Sequence, residues 1–407
     1  MKINQNTMDV SALMNKFNNW NLGDKLQVRK DEGTFRSLKT VSGRSGTEII
    51  INGRKYINFS SNDYLGMSVN PDLQHAWQEG IRIWGCGSGA SPLVTGHCSV
   101  HEELCRKISL LLGKEKVLLF NSGFAANQAI IKTFASRCTG IYMDRLAHAS
   151  LQEAAHLSGG KLYRFGHNDP GSLRRLLEKN YHSDLNSLIV TEGVFSMDGD
   201  EAPLAELTDL AEEFQIPLMV DDAHGFGVHG SQGLGTIPLK LKDFSRVDIV
   251  MGTFGKAFGT MGAFVASSAE IIDYMVNFSR EYIYSTYMPP SSAAASLFSL
   301  EFVTSHEELR DALRNNVQIF HEGFNHLKYP LSSSKTSIQP VIIGDSLQTL
   351  KTSQILAEEG IWVGAIRPPT VPRGSARLRV TITAAHTEEQ INCLIAGLEK
   401  CQTLQER

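Results

Sequence analysis

Short apolar runs alternate with amphipathic stretches from about residue 61 to residue 300. "KVLLF" (116–120), "GIYMD" (140–144), "SLIVTEGVF" (187–195), "IPLMV" (216–220) and "VDIVMGTF" (247–254) each have a strand's length of apolar residues. Such runs, separated by helical patterns, predict a mainly parallel sheet with helices on both faces. The first sixty residues are more polar and close on "TEIIINGRKYINF", where Asn52-Gly53 is a two-residue turn signal between two runs of strand character. The last hundred residues mix helical patterns ("LRDALRNNVQIFHEGFNHL", "EEQINCLIAGLEKC") with short strands ("IQPVIIG", "ARLRVTIT"). The expected division is an arm and hairpin over 1–60, a large α/β domain over 61–300 and a small α+β domain over 301–407. Pro289-Pro290 can sit only at the start of a helix, so a long linking helix is expected to begin there.

Each predicted strand hands over to polar or glycine residues on its carboxyl side. "NSGFAANQAI" follows the first, "RLAHASLQEA" the second, "SMDGD" the third, "DDAHGFG" the fourth and "GKAFG" the fifth. In an open α/β sheet, ligands bind outside the carboxyl ends of the strands. Gly123, His148, Ser196, Asp221, His224, Thr253 and Lys256 are thereby expected around one crevice. "NSGFAANQAI" reads as a turn feeding a helix N-terminus, which is a phosphate site or an ordinary strand–helix turn. Neither "GRSGTE" nor "GKEK" has the spacing of a P-loop.

Asp221 ends an apolar strand, where burial is costly unless the carboxylate is paired. It is either a cap for the following turn or the partner of a charged ring nitrogen. Asp222 is adjacent, and strand alternation lets only one of the two face a given side. His224 stands three residues beyond Asp221, but no third ligand accompanies this pair, so no metal is expected. Lys256 is either a surface charge at a glycine-rich turn or an amine made nucleophilic by burial. A lysine, an acid on a neighbouring strand, a phosphate cradle and a ring to stack are the parts that pyridoxal 5′-phosphate requires.

Composition narrows the classes. The chain has 407 residues, 42% of them hydrophobic, and Lys+Arg 39 against Asp+Glu 43 gives a net charge of −4. That is ample for a large core and argues against a nucleic-acid partner, since no basic stripe stands out. No apolar run approaches the roughly 18 residues that would span a bilayer, and the N-terminus has no apolar signal core. The six cysteines form no CxxC pair and no metal spacing. Scattered thiols of this kind fit a reducing cytoplasm.

Six motifs, "FSSNDYLG", "LFNSGFAAN", "DRLAHASL", "TEGVFSMDGD", "VDDAHGFGVHG" and "TFGKAFG", occur in the order and spacing of the α-oxoamine synthases. The chain resembles that family from about residue 56 to residue 390. The resemblance implies the type I fold of pyridoxal-phosphate transferases, an aspartate-aminotransferase-like seven-stranded, mainly parallel sheet with a smaller C-terminal domain. It also implies a decarboxylative condensation of an amino acid with an acyl thioester. "IYSTYMPP" and "AIRPPTVPRGSARLRVTITAAH" most resemble the branch that joins L-alanine to a pimeloyl thioester, on coenzyme A or a carrier protein. Siblings that take glycine or serine with other acyl groups remain the alternative.

The family's roles map onto this sequence as follows. Lys256 would hold the cofactor and later move protons, Asp221 would pair with the ring nitrogen and His224 would bond the phenolic oxygen. His148 would stack on the ring and touch substrate. Gly123 and Phe124 would flank the cofactor, and Ser196 and Thr253 would hydrogen-bond it. Arg367 would take the amino-acid carboxylate, Asn62 would face the reacting carbonyl, and Arg36 and Thr370 would line the acyl path. The family is a homodimer with active sites at the interface, so Ser285 and Thr286 are expected to reach the partner's phosphate. Pro92 departs from the family pattern near the thioester entrance, at a position where several relatives carry a larger polar or basic residue.

Overall fold

The computed structural model describes residues 18–182, 185–330 and 332–405. Residues 1–17 of the expected N-terminal arm lie outside them. At the centre is a seven-stranded sheet. Its spatial order is Lys161–Phe165, Thr139–Asp144, Asn186–Glu192, Leu218–Asp221, Ile249–Thr253, Ala263–Ser267 and Lys116–Phe120. The first five run parallel, and Ala263–Ser267 runs antiparallel to both of its neighbours. The expected sheet is therefore the one found.

The apolar runs behave as strands covered on both faces. Ile189, Val190, Leu218, Met219, Val220 and Val265 are completely buried. Each such side chain contributes about 1.5–3 kcal/mol relative to exposure. Because both faces are covered, the polar groups these strands carry collect at their ends. That is why the chemistry sits at one edge of the sheet.

Two smaller sheets flank this layer. In one, Glu48–Ile51 and Arg54–Asn58 form the expected hairpin, with φ of +51° at Asn52 and +76° at Gly53. Two consecutive left-handed residues give the turn whose twist matches the strands it joins. Ile361–Trp362 adds to that hairpin in parallel, placing Trp362 opposite Asn58. In the other, Ile338–Gly344, Ala376–Thr381 and Gly364–Ile366 form an antiparallel sheet. The helix Pro290–Ser305 starts at the proline pair and lies against the helix Pro71–Trp84. Their approach is close at Gly80, where an added Cβ would lie 3.1 Å from the backbone of Ser291.

No helix among the described residues is long and apolar enough to cross a membrane. No group of three or more metal-ligating side chains occurs among them.

Candidate active site

The carboxyl ends of three parallel strands carry the core of the site. Glu192 and Asp221 are in register on neighbouring strands, and Asp221 is in register with Met251, two residues before Thr253. In-register residues of a parallel pair project to the same side of the sheet. Two carboxyl groups therefore crowd one edge, both buried. Burial first, and the charge of Asp221 second, push the Glu192 carboxyl well above its usual range. Its Oε1 has no hydrogen-bond partner among the described residues.

Asp221 is held as an acceptor. Asn127 Nδ2 donates to its Oδ2 at 2.7 Å, and the backbone N–H of Ala223 donates to its Oδ1 at 3.0 Å. The same Asn127 amide donates to Ser150 Oγ at 2.9 Å, and Ser150 Oγ lies 2.7 Å from His148 Nδ1. His148 caps the helix Ala149–Ser158, with Nδ1 also accepting from the backbone N–H of Ser150 at 3.3 Å. With Nδ1 committed as acceptor, the imidazole proton falls on Nε2. Burial, opposed by Asp221 and assisted by Lys256, lowers the His148 pKa and keeps the ring neutral.

A second chain of contacts starts at Lys256, in the turn after the strand Ile249–Thr253. Lys256 Nζ lies 2.8 Å from His224 Nε2. His224 Nδ1 lies 2.6 Å from Tyr64 Oη, which is 3.3 Å from Asn62 Oδ1. Arg379 Nη1 donates to Asn62 Oδ1 at 3.0 Å, and Arg379 Nε donates to the carbonyl of Ser196 at 2.6 Å. Lys256 has no carboxylate within ion-pair distance among the described residues. Burial lowers its pKa from 10.5 to about 8, an effect that Asp221 and Glu192 only partly offset. Burial, aided by the Lys256 charge, drives the His224 pKa well below the usual imidazole value.

The other residues expected at the site divide in two. Gly123 and Phe124 form the first turn of the helix Gly123–Phe134, whose Ser122 cap takes the N–H of Ala125 at 3.2 Å. A Cβ on Gly123 would meet only the end of the Met251 side chain, at 3.6 Å. That turn therefore leaves open room and free N–H groups beside the strand ends. Thr253 is buried, its hydroxyl donating to the carbonyl of Gly262 at 2.8 Å and accepting from Gly255 N–H at 3.2 Å. Ser285 and Thr286 lie on the segment ahead of the proline pair, and the Thr286 carbonyl accepts from Asn121 Nδ2 at 2.6 Å.

Arg36, Arg367 and Thr370 form a separate outer group. Arg36 Nη2 donates to Thr370 Oγ1 at 3.0 Å, and Arg367 Nη1 donates to the carbonyl of Gly33. With Thr34 and Pro368 they line a cavity of about 250 Å³. Arg367 is thus occupied with the N-terminal segment rather than joined to the Lys256–Arg379 chain. The two groups are nonetheless neighbours in the sheet, because Ile366 pairs with Arg377 in the register that places Gly364 opposite Arg379.

Glu192, Tyr64, Asn127 and Arg379 belong to this site although sequence reasoning did not single them out. Tyr64 stood inside the quoted "FSSNDYLG" and Glu192 inside "TEGVF", so strand-end position was a usable signal for the second. Asn127 stood inside "NSGFAANQAI" and Arg379 inside "ARLRVTIT", but they reach the site from a helix interior and from the far end of the chain, and neither pattern says which of its residues does so.

These parts fit pyridoxal 5′-phosphate on structural grounds. A deprotonatable amine faces an imidazole instead of a carboxylate. An acid is fixed as an acceptor on the neighbouring strand. Glu192 Oε1 and Asn127 Oδ1 are buried beside them without partners, and an open helix N-terminus suited to a phosphate adjoins.

Comparison with known proteins agrees. The family model for aminotransferase class I and II matches residues 54–398, and the chain belongs to that family. Pyridoxal 5′-phosphate is its cofactor. Among similar proteins, the 8-amino-7-oxononanoate synthase of Aeromonas salmonicida (strain A449) is 46% identical over 380 residues, 93% of this chain and 94% of that protein. The 8-amino-7-oxononanoate synthase of Pseudomonas putida (strain GB-1) is 43% identical over 382 residues, 94% of this chain and 97% of that protein. Among solved structures, a serine palmitoyltransferase of S. paucimobilis with a bound PLP–myriocin aldimine superposes with a TM-score of 0.89 at 29% identity, covering 96% of this chain and 98% of that one. An 8-amino-7-oxononanoate synthase of Francisella tularensis gives a TM-score of 0.75 at 29% identity, over 86% and 99%.

Proposed function

We propose that this chain is an 8-amino-7-oxononanoate synthase, a pyridoxal-phosphate C-acyltransferase of biotin biosynthesis. It joins L-alanine to a pimeloyl thioester, of coenzyme A or a carrier protein, and releases carbon dioxide, the free thiol and 8-amino-7-oxononanoate. The observation that carries this reading is a half-buried, low-pKa Lys256 in the turn after the strand that neighbours Asp221's, in a chain more than 40% identical to synthases of that name.

When bound, pyridoxal phosphate supplies an electron sink for the electrons left at the amino acid's α-carbon. This chain's residues do the rest. Asp221, already fixed by Asn127 and Ala223, holds a proton on the ring nitrogen and keeps the ring electron-poor. Lys256 would hold the cofactor and would move the proton at the substrate's α-carbon. Its lowered pKa suits both tasks, because a base works best when its pKa is near the working pH. His148 would stack on the cofactor's ring, and His224 would donate to its phenolic oxygen. Ser196 and Thr253 bond the cofactor, with Gly123 and Phe124 at its flank. Arg367 takes the substrate carboxylate by a two-pronged donor set, for which it must release Gly33. Asn62 faces the reacting carbonyl, and Arg36 and Thr370 border the acyl path. Two copies assemble as a dimer, with Ser285 and Thr286 of each reaching the other's phosphate. The large domain over 61–300 and the small one over 301–407 close the site between them.

The test is an assay of purified, cofactor-loaded protein with L-alanine, glycine and L-serine, each with pimeloyl-CoA and with longer and shorter acyl thioesters. Alanine with pimeloyl-CoA should have the highest kcat/KM. A preference for serine with a long acyl chain would move the function toward that of the serine palmitoyltransferase structures.

A further inference from the structure

Tyr64 is 1% exposed, and it sits against His224 on the side of the ring away from Lys256. A phenol has one proton to give and here has two candidate acceptors. His224 Nδ1 is 2.6 Å from the hydroxyl oxygen, and Asn62 Oδ1 is 3.3 Å away. Asn62 Oδ1 already accepts from Arg379 at 3.0 Å, whereas Tyr64 is the only group within bonding distance of Nδ1 among the described residues. A contact of 2.6 Å falls at the strong end of hydrogen bonding, and one of 3.3 Å does not. The phenol also keeps its proton, since burial, opposed by the nearby Arg379 charge, holds its pKa above the usual value.

We propose that Tyr64 fixes the tautomer of His224: its hydroxyl donates to Nδ1 and so places the single imidazole proton on Nε2, the nitrogen facing Lys256.

Two consequences follow. In the cofactor-free protein, Nε2–H donates to the Lys256 nitrogen 2.8 Å away. That requires Lys256 to be a free amine with its lone pair available, the state that its lowered pKa of about 8 gives it above that pH. In the loaded protein, the same N–H faces the cofactor's phenolic oxygen as a donor, which stabilises that oxygen in its charged form. Were the proton on Nδ1, a bare Nε2 would confront that oxygen, two acceptors face to face. Tyr64 is thus a positioning residue. It acts through His224 and sets which kind of hydrogen-bonding group the histidine offers. The second consequence rests on pyridoxal phosphate being the ligand; the first does not.

The experiment begins with the cofactor-free protein labelled with 15N-histidine and held above the Lys256 pKa of about 8, where Lys256 is a free amine. Long-range 1H–15N correlations distinguish the two tautomers of each ring, and comparison with His224→Asn assigns the His224 signals. The proposal expects a single Nε2–H tautomer in the unmodified chain and a mixture in Tyr64→Phe. A His224 protonated on Nδ1 in the unmodified chain overturns it without any variant. So does an unchanged single Nε2–H tautomer in Tyr64→Phe.

A second measurement addresses the cofactor-facing half. The Kd for pyridoxal phosphate should weaken by roughly threefold to tenfold in Tyr64→Phe, the effect of one hydrogen bond. The pH midpoint of the bound cofactor's visible absorbance should also move, because the phenolic oxygen loses a fixed donor. If affinity and midpoint both stay unchanged, the cofactor-facing half fails, while the cofactor assignment itself stands.

Discussion

Asp221 and Asp222 are consecutive residues whose carboxylates serve opposite sides of the same strand end. Asp221 turns toward Asn127 and the site. Asp222 turns away and takes the N–H and the hydroxyl of Thr236, each at 2.7 Å. Three glycines enclose it. A Cβ added at Gly193, Gly225 or Gly235 would come within 2.2, 2.1 and 2.0 Å of its carboxylate oxygens. One acid is thus exposed to chemistry and the other is built into the scaffold.

That difference separates two variants. Asp222→Ala leaves the Thr236 donors unpaired in a buried place and should destabilise the protein by about 1–3 kcal/mol, read by denaturant unfolding, with turnover of the folded fraction largely kept. Asp221→Ala should reduce kcat by about a hundredfold or more with a smaller loss of stability. Equal effects of the two on kcat would mean that the division of labour is wrong.

Lys256 supplies a pH prediction. Its pKa of about 8 lies below the lysine value of 10.5 because burial disfavours the ammonium. Only the free amine attacks a carbonyl. The rate of covalent cofactor capture by the cofactor-free protein, followed by absorbance, should rise with pH through a midpoint near 8 and level off above it. A midpoint near 10 would show that Lys256 is solvated like an ordinary surface lysine. Lys256→Ala should bind the cofactor without capture and lose turnover.

The sequence revealed the sheet and the strand-end residues for one physical reason. Strands covered on both faces have nowhere but their ends to carry polar side chains, so Lys256, Asp221, His224 and His148 stand out from apolar surroundings. Alternation limited Asp221 and Asp222 to opposite sides but could not say which faced the crevice, because that depends on where Thr236 and the three glycines pack. Glu192 owes its raised pKa to burial and to the register that sets it beside Asp221, a tertiary fact. Arg379 meets Asn62 across 317 positions of chain, and no local spacing encodes that meeting. Arg367 was expected to await a carboxylate, and its bond to Gly33 depends on how the N-terminal segment folds back.

His167 is a charged clamp on the loop that carries Ser196. Its Nδ1 lies 3.0 Å from Asp144 and its Nε2 lies 2.7 Å from Asp200, with the side chain 15% exposed. Burial alone would lower its pKa, but the two carboxylates outweigh burial and raise it from 6.5 to about 10. A folded-state pKa above the unfolded one gives stability that is complete below about pH 6.5 and is lost as pH rises toward 10. Thermal unfolding should therefore show Tm falling over that interval. In His167→Gln, Tm should be lower at pH 6, and this part of the slope should disappear. An identical slope in both proteins would remove the clamp from the account.

The outer group can be separated from the inner one by kinetics. Arg36 bonds Thr370 beside the small cavity, and it has no hydrogen bond to the Lys256–Arg379 chain. If the acyl thioester passes there, Arg36→Ala removes a charged donor that binds substrate and transition state alike. KM for pimeloyl-CoA should then rise by about tenfold, with kcat and the KM for L-alanine little changed, the pattern of lost uniform binding. Thr370→Val, which keeps the shape but loses the hydroxyl, should shift the same constant by a smaller factor, because it frees Arg36 without removing its charge. If Arg36→Ala instead lowered kcat while leaving the thioester KM alone, Arg36 would belong with the chemistry at Lys256, and the acyl path would have to run along another wall.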